Sequence, residues 1–86
     1  MQNPSRFWAD WTTTDFQALA LDRAIAVLPV AATEQHGPHL PLSVDTDLVN
    51  GVVAACLPYL PADLPALFLP TQTVGLSPEH ARFAGT

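Results

Sequence analysis

Two short apolar runs constrain the fold of this chain more than any other feature. Residues 24–30 (AIAVLPV) and 64–69 (LPALFL) are both too short for a typical helix and have the pattern of strands that are covered on both faces. An apolar repeat between them predicts a helix over residues 47–57, which Pro58 ends. The interval between the two runs is long enough for a right-handed crossover, so this order predicts an α/β protein with a parallel sheet.

A shorter helix is predicted before the first strand. Residues 11–21 open with a run of threonines, and Thr14 stands three residues before Gln17, as in a capping box. With 86 residues, the chain is no larger than one small domain. Two strands with one or two helices do not cover both faces of a sheet. We therefore expect residues 1–86 to be part of one larger domain.

The composition excludes several classes of protein. Hydrophobic residues make up 49% of the chain and charged residues 13%, which argues against intrinsic disorder. The net charge of -5 has the wrong sign for a nucleic-acid or anionic-membrane partner, and no apolar run approaches the roughly 18 residues of a membrane span. The single cysteine, Cys56, lies on the apolar face of the predicted helix, where we expect a buried packing thiol. One unpaired cysteine favours a reduced, cytoplasmic location.

The loop after the first apolar run carries most of the ionisable groups of the chain. It reads TEQHGPHLPLSVDTD over residues 33–47. If the backbone stays extended, Glu34 and His36 lie on the same side and can converge on one ion. Asp45 is expected just before the second helix, where backbone N–H groups can orient a carboxylate that bridges two ions. Carboxylate and imidazole ligands without a thiolate suit zinc, manganese or a similar divalent ion in a catalytic site, without choosing among them.

Each of these groups also has a simpler interpretation. Glu34 and Asp45 can be solvated loop carboxylates or helix caps, but the local crowding of acids and histidines favours a site. His39 either bonds a loop carbonyl or orients a metal ligand. Ser77 and His80 fit a turn and a helix start, and their proximity in sequence does not by itself give a nucleophilic pair.

The segment AVLPVAATEQHGPHLPLSVDTD resembles the signature of the creatininase (creatinine amidohydrolase) family, with its Glu-x-His-Gly-x-His-Leu-Pro core followed by Asp-Thr. Residues 74–80 (VGLSPEH) and the later FAGT resemble the family's glycine-serine-x-x-histidine and phenylalanine-x-glycine-threonine segment. The resemblance spans residues 11–86. The later Asn-Gly-His and His-Ala-Gly motifs of the family are absent from this sequence, so the resemblance implies the N-terminal part of a single creatininase-like domain.

The resemblance implies a three-layer α/β/α fold with a mostly parallel sheet. It also implies two divalent ions per complete subunit, zinc and/or manganese, with Glu34 on one ion, His36 on the other and Asp45 between them. Ser77 and His80 are then expected near the substrate. No catalytic residue is assigned, because the general acid is expected in the missing motifs. Family members often form hexamers, so a homo-oligomer is expected.

Two functions follow as hypotheses. The first is a metal-dependent amidohydrolase that cleaves a C–N bond of a cyclic or linear small-molecule amide, creatinine-like or related, with these 86 residues inactive by themselves. The second is a non-catalytic remnant or interaction module that retains a vestigial metal-site loop and docks its apolar strand and helix onto a partner. Bound metal in a longer product favours the first hypothesis, and a metal-free product of this length favours the second.

Overall fold

The computed structural model describes residues 3–20 and 22–86 and has the predicted alternation of helices and strands. Its main elements are α1 (Thr13–Gln17), β1 (Ile25–Val27), α2 (Val44–Cys56) and β2 (Ala66–Phe68). Single-turn 3-10 segments occur at Trp8–Asp10, Leu57–Tyr59 and Pro78–His80. The two strands pair in parallel, as predicted, with Ala26 opposite Leu67. No helix within these described ranges has the length and hydropathy that crossing a membrane requires.

The regular part of β1 is shorter than the predicted strand over residues 24–30 because proline interrupts it. Pro29 has no N–H to donate, so the regular ladder ends before it. Pairing resumes as an isolated parallel bridge between Val30 and Gln72. The Gln72 N–H donates to the Pro29 carbonyl at 2.9 Å, and the Ala31 N–H donates to the Gln72 carbonyl at 2.8 Å. The paired backbone therefore runs on to the start of the loop that carries the candidate ligands.

Helix α2 begins at Val44, earlier than the predicted start at Asp47. Ser43 takes the N-cap position, and the Asp47 N–H donates to its carbonyl at 2.9 Å. Asp45 therefore lies inside the first turn of the helix, and the expectation that it precedes the helix is wrong. Acidic residues in a first turn are stabilised by the positive end of the helix dipole. At the other end, α2 passes into a 3-10 turn that contains Pro58, as its predicted end requires.

Helix α1 is shorter than the predicted helix over residues 11–21, whose last residue, Leu21, lies outside the described residues. Its capping box pairs Thr12 with Asp15, two residues earlier than predicted. The Thr12 N–H donates to Asp15 Oδ2 at 2.9 Å, and the Asp15 N–H donates to Thr12 Oγ1 at 3.1 Å. The backbone hydrogen bond from Thr12 is the main reason that the pKa of Asp15 lies below its ordinary value.

Strand β2 forms the centre of the core. Leu67 is completely buried, and Ala66 and Phe68 on either side of it are also buried. One edge of β2 pairs with β1, and at the other edge the Phe68 N–H donates to the Arg6 carbonyl at 2.7 Å. Trp11 is buried as well, and its ring nitrogen donates to the Ser5 carbonyl at 2.9 Å. The N-terminal segment therefore covers the side of β2 that β1 leaves free.

The apolar face of α2 is only partly covered, which corrects the expectation for Cys56. The thiol is exposed, and Leu48 and Val52 are 65% and 64% exposed. An open apolar groove of about 300 Å³ lies between the helix and the sheet. Its lining residues are Val27, Pro29, Leu48, Val49, Val52, Val53 and Phe68. The helical repeat identified the apolar face of α2 correctly, but the side chains on this face would be buried only if other atoms filled the groove.

Leucine substitutions at buried and exposed positions test this description of the core. We expect Leu67→Ala to lower the free energy of unfolding by about 2–5 kcal/mol, because it leaves a cavity beside β1. The matched control is Leu76→Ala, since Leu76 is 92% exposed and its truncation should change stability by less than about 0.5 kcal/mol. Denaturant unfolding of the protein measures both values. Equal losses for the two variants would contradict the assignment of Leu67 to the core.

Candidate metal centre

Three side chains from two elements meet beyond the carboxyl end of β1. Glu34 and His36 lie on the loop over residues 31–43, and Asp45 lies in the first turn of α2. One potential ligand atom of each residue lies within 4.8 Å of the other two. All three residues are half-buried, and the Glu34 side chain is only 14% exposed. The structure thus brings together the three residues that the sequence singled out as candidate ligands.

The ring of His36 lies between two groups that can only accept. Nδ1 of His36 lies 3.2 Å from the carbonyl oxygen of Glu34, and Nε2 lies 3.2 Å from Oδ1 of Asp45. A neutral ring carries one hydrogen, so it can donate in only one of these contacts. With that hydrogen on Nδ1, Nε2 is a bare acceptor that faces the Asp45 carboxylate.

Two acceptors at this distance require a positive charge between or beside them. A proton on the ring or a divalent ion meets this requirement, and two ligand atoms at about 2.1 Å from one ion are about 3.0–3.4 Å apart. Within residues 3–20 and 22–86, no arginine forms a salt bridge with Glu34 or Asp45. Among the described residues, the charge of these carboxylates therefore has no permanent cationic partner. The donor set and its spacing fit a divalent metal ion.

Glu34 also belongs to a second group of possible ligand atoms. Glu79 and His80, in the 3-10 segment Pro78–His80, place one such atom each within 4.8 Å of a Glu34 oxygen. Nε2 of His80 lies 3.7 Å from Oε1 of Glu34 and 3.8 Å from Oε1 of Glu79. The loop that follows β2 therefore reaches the candidate ligands on the loop that follows β1.

His39 belongs to neither group of possible metal ligands. His39 is exposed in the loop. Ser77 is half-buried and precedes the 3-10 segment Pro78–His80, where its side chain makes no capping hydrogen bond. His80, also expected near the substrate, lies in the second group and 3.7 Å from Glu34 Oε1.

Sequence reasoning missed Gln35, which connects the two loops. Its Nε2 lies 2.8 Å from Nδ1 of His80, and its Oε1 accepts the Gly37 N–H at 2.9 Å. Its own backbone N–H donates to Thr86 Oγ1 at 3.1 Å. The sequence signal was its position between Glu34 and His36. A glutamine side chain has both a donor and an acceptor, so at this position it can link the loop to a neighbouring one.

Gly37 makes the turn that follows the candidate ligands. Its φ of 77° lies in the left-handed region that glycine adopts without steric cost. Directly around this turn, His36 and Leu40 form an isolated antiparallel bridge. The turn therefore fixes the backbone on which His36 is mounted.

Comparison with known proteins identifies relatives of this chain. The family model of creatininase, described as creatinine amidohydrolase, matches residues 9–86. The mycofactocin precursor peptide peptidase of Mycobacterium tuberculosis is 47% identical over 66 residues, and that of Mycolicibacterium smegmatis is 42% identical over 64 residues. Among solved structures, a mutant creatininase is similar with a TM-score of 0.72 and 30% sequence identity.

The matches cover most of this chain but only part of each relative. The two peptidase matches span 70% and 72% of this chain and 26% of each peptidase. The structural match spans 95% of this chain and 33% of the creatininase chain. The fold is therefore a partial creatininase-like fold, with two parallel strands and their helices.

Glycine substitutions test the conformation of the turn at Gly37. We expect Gly37→Ala to lower the free energy of unfolding by about 1–2 kcal/mol, because alanine resists a positive φ. The matched control is Gly51→Ala in α2, where the added methyl group meets open space. Because alanine favours a helix more than glycine does, the free energy of unfolding should rise by about 0.5–1 kcal/mol. Denaturant unfolding gives the sign of each change. A neutral or stabilising effect of Gly37→Ala would contradict the described turn.

Proposed function

The chain belongs to the creatininase family, and we propose that Glu34, His36 and Asp45 form part of the metal centre of a hydrolase that cleaves an amide C–N bond. The observation that carries this proposal is the convergence of Glu34, His36 and Asp45, with His36 Nε2 3.2 Å from Asp45 Oδ1. With the ring hydrogen on Nδ1, both of these atoms are acceptors, and a bound divalent ion would supply the positive charge that they need.

In this proposal Glu34 would hold one divalent ion and His36 a second, with Asp45 as the ligand that they would share. Carboxylate and imidazole ligands suit zinc and manganese, so either metal or both are expected. Such ions, when bound, polarise the carbonyl of an amide and lower the pKa of water.

The residues of this chain hold the ligand atoms in place before an ion binds. The Glu34 carbonyl accepts the Nδ1 hydrogen of His36 and so aims the Nε2 lone pair away from the backbone. The first turn of α2 carries Asp45 on a rigid element, and a rigid ligand loses little entropy on binding. The low exposure of Glu34 strengthens its attraction for a cation, because fewer waters screen the carboxylate.

We favour a linear peptide amide over creatinine as the substrate. The peptidases are 42–47% identical to this chain over the matched residues, and the creatininase variant is 30% identical. A peptide bond and a cyclic amide both present the carbonyl and the C–N bond on which this chemistry acts.

The proposed protein is larger than the matched region. Because the relatives are three to four times longer than their matched parts, we propose that residues 1–86 are the N-terminal part of a single three-layer α/β/α domain. Further ligands and the general acid then lie in other parts of that domain. A cytoplasmic homo-oligomer, as in the hexamers of the family, is part of the same proposal.

Paired aspartate variants test the metal centre. In the protein as its source produces it, we expect Asp45→Asn to weaken metal binding by more than about 100-fold. Removing a residue that only supports a metal ligand typically lowers the affinity by roughly 10–100-fold, and removing a ligand should cost more. The matched control is Asp47→Asn in the same helical turn, because Asp47 accepts a hydrogen bond from Ser43 at 3.0 Å and lies outside both ligand groups. Metal titration and metal content measure the difference. A metal-free native protein, or equal metal content in both variants, would favour the non-catalytic interaction module instead.

Competing substrates test the proposed specificity. We expect the metal-loaded protein to hydrolyse a mycofactocin-type precursor peptide with a kcat/KM at least about tenfold above that for creatinine, a difference of about 1.4 kcal/mol in transition-state binding. Mass spectrometry of the peptide products and a creatine assay give the two rates. Faster hydrolysis of creatinine would overturn the choice of substrate while leaving the metal centre in place.

A further inference from the structure

A chain of hydrogen bonds runs from the Gly37 turn to His80 and fixes the orientation of each group along it. The Gly37 N–H donates to Oε1 of Gln35 at 2.9 Å, so the oxygen end of this amide faces the turn. The NH₂ end of the same amide, Nε2, lies 2.8 Å from Nδ1 of His80. Both ends of the Gln35 side chain are thus used, and reversing the amide would place its NH₂ group against the Gly37 N–H, donor against donor.

This contact fixes the tautomer of His80. An amide NH₂ group can only donate, so Nδ1 of His80 accepts and carries no hydrogen. In the neutral ring the hydrogen then lies on Nε2, the atom 3.7 Å from Glu34 and 3.8 Å from Glu79. A nitrogen that carries a hydrogen has no lone pair for a metal ion. His36 takes the opposite arrangement when it donates from Nδ1 to the Glu34 carbonyl, because its lone pair is then on Nε2.

We propose that His80 is a positioning residue for the Glu34 carboxylate, held by Gln35, and is not a metal ligand, even though Glu34, Glu79 and His80 are close enough together to hold an ion. This inference rests on the proposed function, because it takes Glu34 to be a ligand. It assigns a role to Gln35, which the family resemblance did not single out.

The electrostatics of the contact support this role. The distance of 3.7 Å from His80 Nε2 to Glu34 Oε1 is longer than a direct hydrogen bond, so the N–H acts through its partial positive charge. Both side chains are mostly shielded from water, with exposures of 27% and 14%, which reduces screening. A bare nitrogen at the same place would repel the carboxylate. Groups behind a metal ligand act in this way by orienting it.

The tautomers can be read directly, and without metal, from the side-chain nitrogen chemical shifts of isotope-labelled histidine. In the metal-free protein we expect the hydrogen of His80 on Nε2 and that of His36 on Nδ1. On addition of zinc, Nε2 of His36 should shift as a metal-bound nitrogen while both nitrogens of His80 keep their type. A metal-bound nitrogen in His80, or a hydrogen on its Nδ1, would overturn the proposal.

Variants separate a positioning role from ligation by their metal affinity, measured by zinc titration of the protein. We expect His80→Ala to weaken zinc binding about 10–100-fold without changing the number of ions bound. His80→Gln should restore most of the affinity, because its amide NH₂ can replace the Nε2 hydrogen, and Glu79→Gln should have no effect since Glu79 is 66% exposed. Loss of one bound ion in both His80→Ala and Glu79→Gln would make His80 a ligand and would overturn the proposal.

The controls distinguish failure of this inference from failure of the proposed function. If native protein binds zinc and Glu34→Gln weakens binding, the metal centre holds, and an unchanged affinity in His80→Ala then overturns the role of His80 alone. If Glu34→Gln has no effect on zinc binding, the proposed metal centre itself fails, and the role of His80 fails with it. The tautomer measurement on metal-free protein detects an error in the hydrogen-bond chain in either case.

Discussion

The parallel pairing of β1 and β2 is the constraint on which the candidate site depends. In a parallel pair the carboxyl ends of both strands lie at the same edge, so the loops that follow them meet. The bridge between Val30 and Gln72 extends this pairing beyond the regular strands. Thr33 Oγ1 then donates to the Thr73 carbonyl at 2.7 Å, which holds the start of one loop against the other. An antiparallel arrangement would send the second loop to the opposite edge and leave Glu34 without His80.

The two histidines at this edge show how the same side chain serves different purposes through its hydrogen-bond partners. A carbonyl beside Nδ1 of His36 leaves the far nitrogen free to accept, and an amide NH₂ beside Nδ1 of His80 leaves the far nitrogen as a donor. Each far nitrogen approaches a carboxylate, at 3.2 Å and 3.7 Å respectively. The first contact requires an added proton or a metal ion, whereas in the second the ring N–H of His80 itself supplies a partial positive charge. The Glu34 carbonyl and the Gln35 amide, as the partners of the two Nδ1 atoms, thus decide whether each Nε2 accepts or donates.

Local sequence patterns predicted the features that depend on local physics. The apolar runs located both strands, the helical repeat located α2, and the Glu-x-His spacing located the residues that meet Asp45. The start of α2 was missed because Ser43 and the turn before it begin the helix ahead of Asp47. Exposure of Cys56 was missed because periodicity identifies an apolar face without showing what fills the groove beside it. Such patterns also did not predict the contact between Gln35 and His80, because it depends on how the fold brings two loops together that are far apart in sequence.

The hydrogen bonds between the two loops join residues far apart in sequence. They connect positions separated by 40, 45 and 51 residues, and each needs β1 and β2 to be paired before it can form. Site and sheet are therefore expected to open and close as one cooperative unit, in the sense in which native-state hydrogen exchange defines such units. The backbone N–H of Gln35, which donates to Thr86 Oγ1, lies on a loop. The rate at which its hydrogen exchanges with solvent is nevertheless expected to follow the stability of the sheet. An ion bound by Glu34 and His36 would slow that exchange throughout the pair, although it touches neither strand.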